Sequence, residues 1–117
     1  MIYVIDSNKI IAQCVARAID KETKIFANAI EAMNEIAGGD LPEMIFMEIM
    51  LDGPDGFSFL NELVSYEDTA KIPVVIVSGL PLDGMDLRVY GVVGVLNKET
   101  MVPEEIKKYV SKYAKGN

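Results

Sequence analysis

The sequence predicts a three-layered α/β fold in which a five-stranded parallel sheet is covered by helices on both faces. Five short apolar runs alternate with segments whose apolar residues recur at helical spacing. The runs are almost continuously hydrophobic, which is typical of strands buried on both faces of a parallel sheet. Such strands are joined by right-handed crossovers, so the alternation predicts a doubly wound sheet. The chain has 117 residues, which suits a single domain at residues 1–117.

The first predicted strand is the run IYVI at residues 2–5, which ends at Asp6. Asp6 or Ser7 is predicted to cap the helix that follows, because short polar side chains accept hydrogen bonds from unpaired N–H groups at a helix start. The spacing of the next apolar residues predicts an amphipathic helix. Its stripe consists of Ile10, Ile11, Cys14, Val15, Ala18 and Ile19.

The second strand-helix unit begins with TKIFA at residues 23–27, a short run that predicts a strand. Asn28 and Glu31 resemble a capping box, so a helix is predicted to begin there. Gly38 and Gly39 are predicted to end it, since glycine is favoured just beyond the last turn of a helix. The stripe of this helix is formed by Ile30, Met33 and Ala37.

The third predicted strand is MIFMEI at residues 44–49, which is followed by a loop at 50–55 rich in Gly, Pro and Asp. Apolar residues on one side then predict a third helix. They are Phe57, Leu60, Leu63 and Val64. The run IPVVIVS at 72–78 predicts the fourth strand, with Pro73 near its start, where a missing N–H donor is tolerated.

The last predicted elements are a short helix from about Asp83 to Tyr90, a fifth strand VVGVL at residues 92–96, and a C-terminal helix. Pro103 is predicted to begin this helix, because its fixed φ suits the first turn. Acidic residues in the first turn and basic residues near the end interact favourably with the helix dipole. They are Glu104, Glu105, Lys112 and Lys115, and the apolar stripe is Ile106, Tyr109, Val110 and Tyr113.

The composition excludes several classes of function. The formal charge is -7, from 11 basic and 18 acidic residues, so nucleic-acid binding is not expected. One cysteine and no histidine exclude an internal disulfide, a His-based zinc site and a Ser/His or Cys/His catalytic pair. No apolar run is long enough to span a bilayer and the start lacks a basic signal-peptide region, which predicts a cytoplasmic protein without membrane contact.

Four polar residues are predicted to meet at one edge of the sheet. Asp6, Glu48, Ser78 and Lys98 each lie at or near the end of a different predicted strand. The carboxyl ends of parallel strands share one edge, where ligands bind in open α/β sheets. Each residue alone has a simpler role, as a cap, a turn residue or a solvated lysine. Together they favour a shared site for a divalent metal or a phosphoryl group.

The whole chain resembles the receiver domain of bacterial response regulators (CheY-like), in length, element order and motif positions. The intervals from Glu48 to Ser78 and from Ser78 to Lys98 fit that family, and Gly56 matches a family glycine that opens the third helix. The resemblance implies a flavodoxin-like (receiver) topology. It also implies that Glu48 stands at the phospho-acceptor position, while Ser78, Val95 and Lys98 stand at the switch positions.

Several positions depart from the family pattern. Glu48 replaces the acceptor aspartate, and Ser7 replaces the second acid of the pair that begins with Asp6. Glu99 follows the lysine where the family usually has proline, and Val95 replaces the usual aromatic switch residue. The positions equivalent to the family's acidic, metal-binding pocket are Asp6, Ser7, Glu48 and Met50.

These departures predict a pseudo-receiver, which keeps the fold but has lost most or all of the chemistry. Mg²⁺ is usually held through one or two carboxylates, so a serine in place of an acid weakens the site. Glutamate reaches about 1.5 Å further than aspartate, and misplacement on that scale costs on the order of a hundredfold in rate. We therefore expect no cofactor beyond weakly bound Mg²⁺, no enzymatic activity, and signalling through a protein partner such as a histidine kinase or an output domain. The sequence also leaves open whether the chain forms a homodimer.

Other interpretations also stay open at this stage. Glu48 and Lys98 can form a plain structural ion pair without a signalling role. The chain can be a phosphorylatable receiver with an unusual acceptor at Glu48, Asp52 or Asp55. A flavodoxin-like FMN protein is disfavoured because the segment DSNKI after the first strand lacks glycine and because two acids at this edge would repel the phosphate. A phosphate-ester hydrolase is disfavoured because its paired aspartates are absent.

Overall fold

Five parallel strands form the centre of the computed structural model, which describes residues 1–51, 55–82 and 84–114. In chain order the strands are β1 (Ile2–Ile5), β2 (Thr23–Phe26), β3 (Met44–Met47), β4 (Val74–Ser78) and β5 (Val92–Asn97). They lie side by side in the order β2-β1-β3-β4-β5. This order confirms the predicted doubly wound sheet, and the strand order reverses between β1 and β3.

Helices cover both faces of the sheet. They are α1 (Lys9–Ala18), α2 (Ala29–Ala37), α3 (Gly56–Val64) and α4 (Pro103–Tyr113). Alternate residues of β1 point to opposite faces, so Tyr3 joins the core beneath α2 and α3, and Val4 joins the core beneath α1 and α4. Both faces are therefore apolar, which explains the almost continuous hydrophobic runs of β1, β3 and β4. None of the helices in the described ranges is long and apolar enough to cross a bilayer.

The predicted helix from Asp83 to Tyr90 is wrong, and Asp83 itself lies outside the described residues. The structure has only one 3₁₀ turn there, at Arg88–Tyr90. Gly84 and Gly91 have φ values of +85° and +79°, in the left-handed region that interrupts a right-handed helix. Among the described residues the sheet is thus covered by four α-helices rather than five.

The predicted cap of α1 is also wrong, because the helix begins later than expected. Asn8 is the N-cap, and its Oδ1 accepts hydrogen bonds from the N–H groups of Ile10 and Ile11 at 3.0 and 3.1 Å. Asp6 and Ser7 lie before the cap. The carboxylate of Asp6 is therefore available for other contacts.

The apolar stripe predicted on α1 is wider than the face that is buried. Ile10 is 73% exposed and Cys14 is also exposed, whereas Ala12 and Val15 are buried. A helix lying on a sheet buries only part of its circumference, and the two outer members of a broad stripe remain in solvent. The other predicted helix signals are confirmed: Asn28 caps α2 with Glu31, Gly38 is its C-cap, and α4 begins at Pro103.

The predicted bounds of two strands need correction. β3 ends at Met47 rather than at residue 49, and β4 begins at Val74 rather than at residue 72. Glu48 therefore lies one residue beyond the end of β3. This position places its side chain at the edge of the sheet instead of within either core layer.

Candidate functional site

The structure brings together the four polar residues that were predicted to meet at the carboxyl edge of the sheet. Lys98 lies at the centre, with its Nζ atom 2.9 Å from Asp6 Oδ2 and 2.8 Å from Glu48 Oε1. Asp6, Glu48 and Ser78 are buried, and the Lys98 side chain is only 18% exposed. Two carboxylates and one ammonium leave a formal charge of minus one in this cluster, which we call the carboxylate-lysine cluster.

The strand ladder fixes the main chain beneath this cluster. The N–H of Glu48 donates to the carbonyl of Ile5 at 3.0 Å, which ties the end of β3 to β1. The N–H of Lys98 donates to the carbonyl of Ser78 at 3.0 Å, which ties the residue after β5 to β4. The side chains therefore start from a rigid edge, because their backbone positions are set by parallel strand pairing.

Both oxygens of the Glu48 carboxylate accept hydrogen bonds. Oε2 accepts from the N–H groups of Ile49 at 2.7 Å and Met50 at 3.1 Å, while Oε1 receives the Lys98 ammonium. The Ser78 hydroxyl also lowers the pKa of this carboxylate. The Glu48 side chain thus links the residue after β5 to the main chain that follows β3. A buried carboxylate is stable here because every oxygen has a donor.

Both Asp6 oxygens are also occupied. Oδ1 accepts from the N–H of Asn8 at 2.9 Å and Oδ2 receives the Lys98 ammonium. A metal ion at this position would share the carboxylate oxygens with the Lys98 ammonium, and the two positive charges would repel each other. Within the described ranges no group of three or more acidic, cysteine or histidine side chains is arranged to hold a metal ion.

The ionisation of the cluster follows from these contacts. Burial raises the pKa of Glu48, but the hydrogen bonds from Lys98, Ser78 and the Met50 N–H and the charge of Lys98 outweigh it, so the pKa lies below its usual value. Burial lowers the pKa of Lys98, but hydrogen bonds and charge from Glu48 and Asp6 outweigh it, so that pKa is raised. The pair is therefore ionised at neutral pH.

Gly56 allows the backbone at Ile49 to lie close to the start of α3. Its N–H donates to the carbonyl of Ile49 at 2.7 Å, and a Cβ at this position would lie 2.7 Å from Ile49 Cα. Any side chain would push apart the backbone that carries the Ile49 and Met50 amides. The glycine is therefore part of the support for Glu48 rather than a helix-opening residue alone.

The other predicted site residues in the described ranges contribute no side chain to the cluster. Ser7 is exposed, the Met50 side chain is 62% exposed, and Val95 is 43% exposed on β5. Met50 contributes only its main-chain N–H. Asp55 caps α3 by accepting from the Ser58 N–H at 2.9 Å, and Asp52 lies outside the described residues.

Weak magnesium binding is one expected consequence of this geometry. Millimolar Mg²⁺ should raise the melting temperature very little, since stabilisation grows with the logarithm of concentration over dissociation constant. Ser7→Asp should enlarge this shift in melting temperature by restoring a second acid beside Asp6. Ser7→Asn should not enlarge it, because asparagine has the shape of aspartate but no charge. Scanning calorimetry with and without Mg²⁺ measures this. A saturable shift of the unmodified chain at sub-millimolar Mg²⁺ would contradict the prediction.

Comparison with known proteins identifies the fold. No protein-family model matches the chain. A segment of 56 residues is 38% identical to response regulator PleD of Caulobacter vibrioides, covering 48% of this chain and 12% of the relative, so the chain spans only a small part of that protein's length.

Solved structures of receiver domains superpose on the whole chain. The receiver domain of NtrX from Brucella abortus has a TM-score of 0.84 at 22% identity and covers 100% of both chains. A sensor protein from Polaromonas sp. JS666 has a TM-score of 0.85 at 16% identity, covering 97% of this chain and 94% of the other. Chemotaxis response regulator CheY4 of Vibrio cholerae has a TM-score of 0.79 at 19% identity, covering 96% of each. The chain has the fold of response-regulator receiver domains.

Proposed function

We propose that residues 1–117 act as one atypical receiver domain, a pseudo-receiver that works in signal transduction by binding a protein partner and not as an enzyme. The observation that carries the proposal is the closed carboxylate-lysine cluster, in which Lys98 bridges Asp6 and Glu48 at 2.9 and 2.8 Å. The receiver fold and the partial similarity to a response regulator support the signalling class. The residues at the acceptor and metal positions support the loss of phosphoryl transfer.

Phosphoryl transfer needs a free carboxylate oxygen placed in line with the phosphorus atom, together with a metal that neutralises charge. Glu48 meets both conditions poorly. Its Oε1 is held by Lys98 and its Oε2 by two main-chain amides, and only Asp6 stands nearby as a second acid. In place of phosphorylation, Glu48 supplies a permanent negative charge. This charge is smaller than that of a phosphoryl group, which adds about 1.5 to 2 negative charges.

The direct test is incubation of the unmodified chain with acetyl phosphate and Mg²⁺, followed by intact-mass measurement. We expect no gain of a phosphoryl group, because the acceptor carboxylate is already occupied and the metal site is incomplete. A receiver with an aspartate acceptor in the same reaction is the positive control. Efficient incorporation that Glu48→Gln abolishes would overturn the proposal, and the chain would then be a switch with an unusual acceptor.

The partner is proposed to be a histidine kinase or an output domain that contacts α4. This helix exposes Lys107 and Lys108, and the half-buried Tyr109 beside them supplies an aromatic anchor. Basic residues here can meet acidic residues of a partner although the whole chain is acidic. A cytoplasmic location is part of this proposal, and cell fractionation tests it.

Charge reversal on α4 tests this partner surface. Lys108→Glu is expected to weaken capture of a partner from the source cell several-fold and to leave the melting temperature almost unchanged, because Lys108 is exposed. Lys9→Glu on α1 is the control, since it makes the same charge change at an exposed position of another helix. If Lys108→Glu has no effect and Lys9→Glu weakens capture, the interface lies on α1.

A further inference from the structure

One edge of the sheet is open along β5. The Lys98 N–H donates to the carbonyl of Ser78 in β4. Because the main-chain groups of successive residues in a strand point to opposite sides, those of Leu96 face β4 and those of Val95 face away from it. The N–H and C=O of Val95 therefore face outwards. No other main-chain group of the described residues pairs with Val95 from that side.

The two edge strands of the sheet, β2 and β5, differ in how well they are protected against pairing with another chain. β2 has only four residues and carries Lys24, whose Nζ atom is 2.7 Å from Glu35 Oε2. Short length and charge are the usual means by which an edge strand avoids pairing with another chain. β5 has six residues, VVGVLN, and none of them is charged. It is thus the edge that can accept an additional strand.

Two cavities flank this open strand and can take side chains from an added strand. The larger, about 880 Å³, lies at the start of β4 and β5, and the smaller, about 390 Å³, lies beside Met85 and Val95. Arg88, Val92 and Val93 line both, so the two cavities meet at the start of β5. The smaller cavity lies between β5 and the segment where the predicted helix does not form.

Two lysines near β5 favour acidic residues at two points of an occupant. Among the described residues, Lys71 in the larger cavity has no ion-pair partner. Lys108 on α4 has none either; it lines a separate cavity with Tyr109, whose ring lies over Gly94 of β5. The nearby acids are mostly engaged: Asp86 pairs with Arg88, Glu105 accepts from the Val102 N–H, and Glu43 pairs with Lys21. Asp68 is the remaining acid at the rim.

We infer that β5 binds an extended segment of a partner protein by strand addition, with apolar side chains of the segment in the two cavities and acidic residues near Lys71 and Lys108. The inference rests on the proposed function as a binding module and names the chemical class of its partner. Unpaired main-chain groups specify the occupant as another strand, because only an extended backbone presents donors and acceptors at that spacing.

Selection from a library of short random peptides displayed on phage tests this inference. Enriched peptides should combine acidic residues with apolar residues at alternate positions. One such peptide is then synthesised in a series with a single N-methyl group moved along its backbone. Methylation should weaken binding about tenfold at every second amide and little at the others, since only alternate amides face β5. Failure to enrich this pattern, or a loss without alternation, overturns the inference.

Two substitutions of Val95 give the complementary test on the protein side. Val95→Pro removes the outward N–H and should abolish peptide binding, whereas Val95→Ala keeps the N–H and should weaken it only slightly. The N-methyl series decides the question if Val95→Pro does not fold. A dimer of the free chain that Val95→Pro dissociates would overturn the inference, because a second copy would already occupy the edge. Acetyl phosphate labelling is read separately, since it bears on the proposed loss of chemistry and not on strand addition.

Discussion

Lys98→Ala is expected to lower the free energy of unfolding by about 3 kcal/mol at neutral pH, because it leaves buried carboxylates without their cation. Asp6 and Glu48 are both buried, and each loses a contact shorter than 3 Å to the lysine. Urea unfolding followed by circular dichroism measures the loss. Lys107→Ala, an exposed lysine on α4, is the control and should change stability by only a few tenths of a kcal/mol.

The pH dependence separates this explanation from a simple loss of packing. In the unmodified chain the pKa of Glu48 is lowered, so its stabilising contribution is present above the unfolded-state value near 4.5 and is lost as pH falls through the folded value. The pKa of Lys98 is raised, so its contribution is present below the unfolded-state value near 10.5 and is lost as pH rises through the folded value.

Lys98→Ala should weaken the first of these dependences. Without the ammonium, the effect of burial is opposed only by the remaining hydrogen bonds to Glu48, so the pKa of Glu48 rises and the variant loses less stability when that carboxyl takes up a proton. The difference in unfolding free energy between the two proteins should therefore narrow as pH falls from neutrality towards 4.5. A difference that is constant with pH would show that Lys98 contributes packing and not charge compensation.

Glu48→Gln gives a smaller expected loss than Lys98→Ala, and the comparison identifies the centre of the cluster. The glutamine keeps the shape of the side chain, and Asp6 still neutralises Lys98 at 2.9 Å. The ion-pair bridge to β3 is nevertheless lost, and the Ile49 and Met50 amides keep only a neutral acceptor. Equal losses for the two variants would indicate that Glu48, rather than Lys98, is the residue that holds the site together.

Sequence predicts the sheet and the site edge well because both depend on strong local signals. Buried parallel strands such as β3 and β4 are nearly uniform in hydrophobicity, and the turn after each strand brings its polar residue to the same edge. The cap of α1 was predicted too early, at Asp6 or Ser7. Asp6, Ser7 and Asn8 are all favourable N-cap residues, so the sequence does not show which of them directly precedes the helix. The short helix before β5 was wrong because propensity alone does not reveal the left-handed glycine at position 84.

The binding of the Glu48 carboxylate by main-chain amides could not be read from the sequence at all. It depends on the path of the backbone at Ile49 and Met50, and no side-chain pattern encodes that path. The nearest sequence signal is Gly56, whose missing side chain permits the close approach to Ile49. Sequence thus identifies which residues gather at the edge, whereas the structure shows that every carboxylate oxygen of Asp6 and Glu48 has at least one donor.

Restoring phosphoryl transfer is expected to require two substitutions together. Glu48→Asp shortens the side chain by about 1.5 Å, which withdraws the carboxylate from its present donors and returns the acceptor to the length found in the receiver family. The shorter acceptor alone should remain unlabelled by acetyl phosphate, because Asp6 is still the only acid after β1 available to hold Mg²⁺. Ser7→Asp alone should also remain unlabelled, since Glu48 still holds its oxygens against Lys98 and the two amides.

The double variant Ser7→Asp with Glu48→Asp should gain one phosphoryl group in the presence of acetyl phosphate and Mg²⁺, measured by intact mass and lost when Mg²⁺ is chelated. Ser7→Asn with Glu48→Asp is the matched control, because asparagine has the shape of aspartate without its charge, and it should stay near the unlabelled level. Equal labelling of this control would show that acceptor length alone limits the chemistry. A double variant that stays unlabelled while its Mg²⁺ affinity rises would instead locate the block in the remaining departures, Glu99 after the lysine and Val95 on β5.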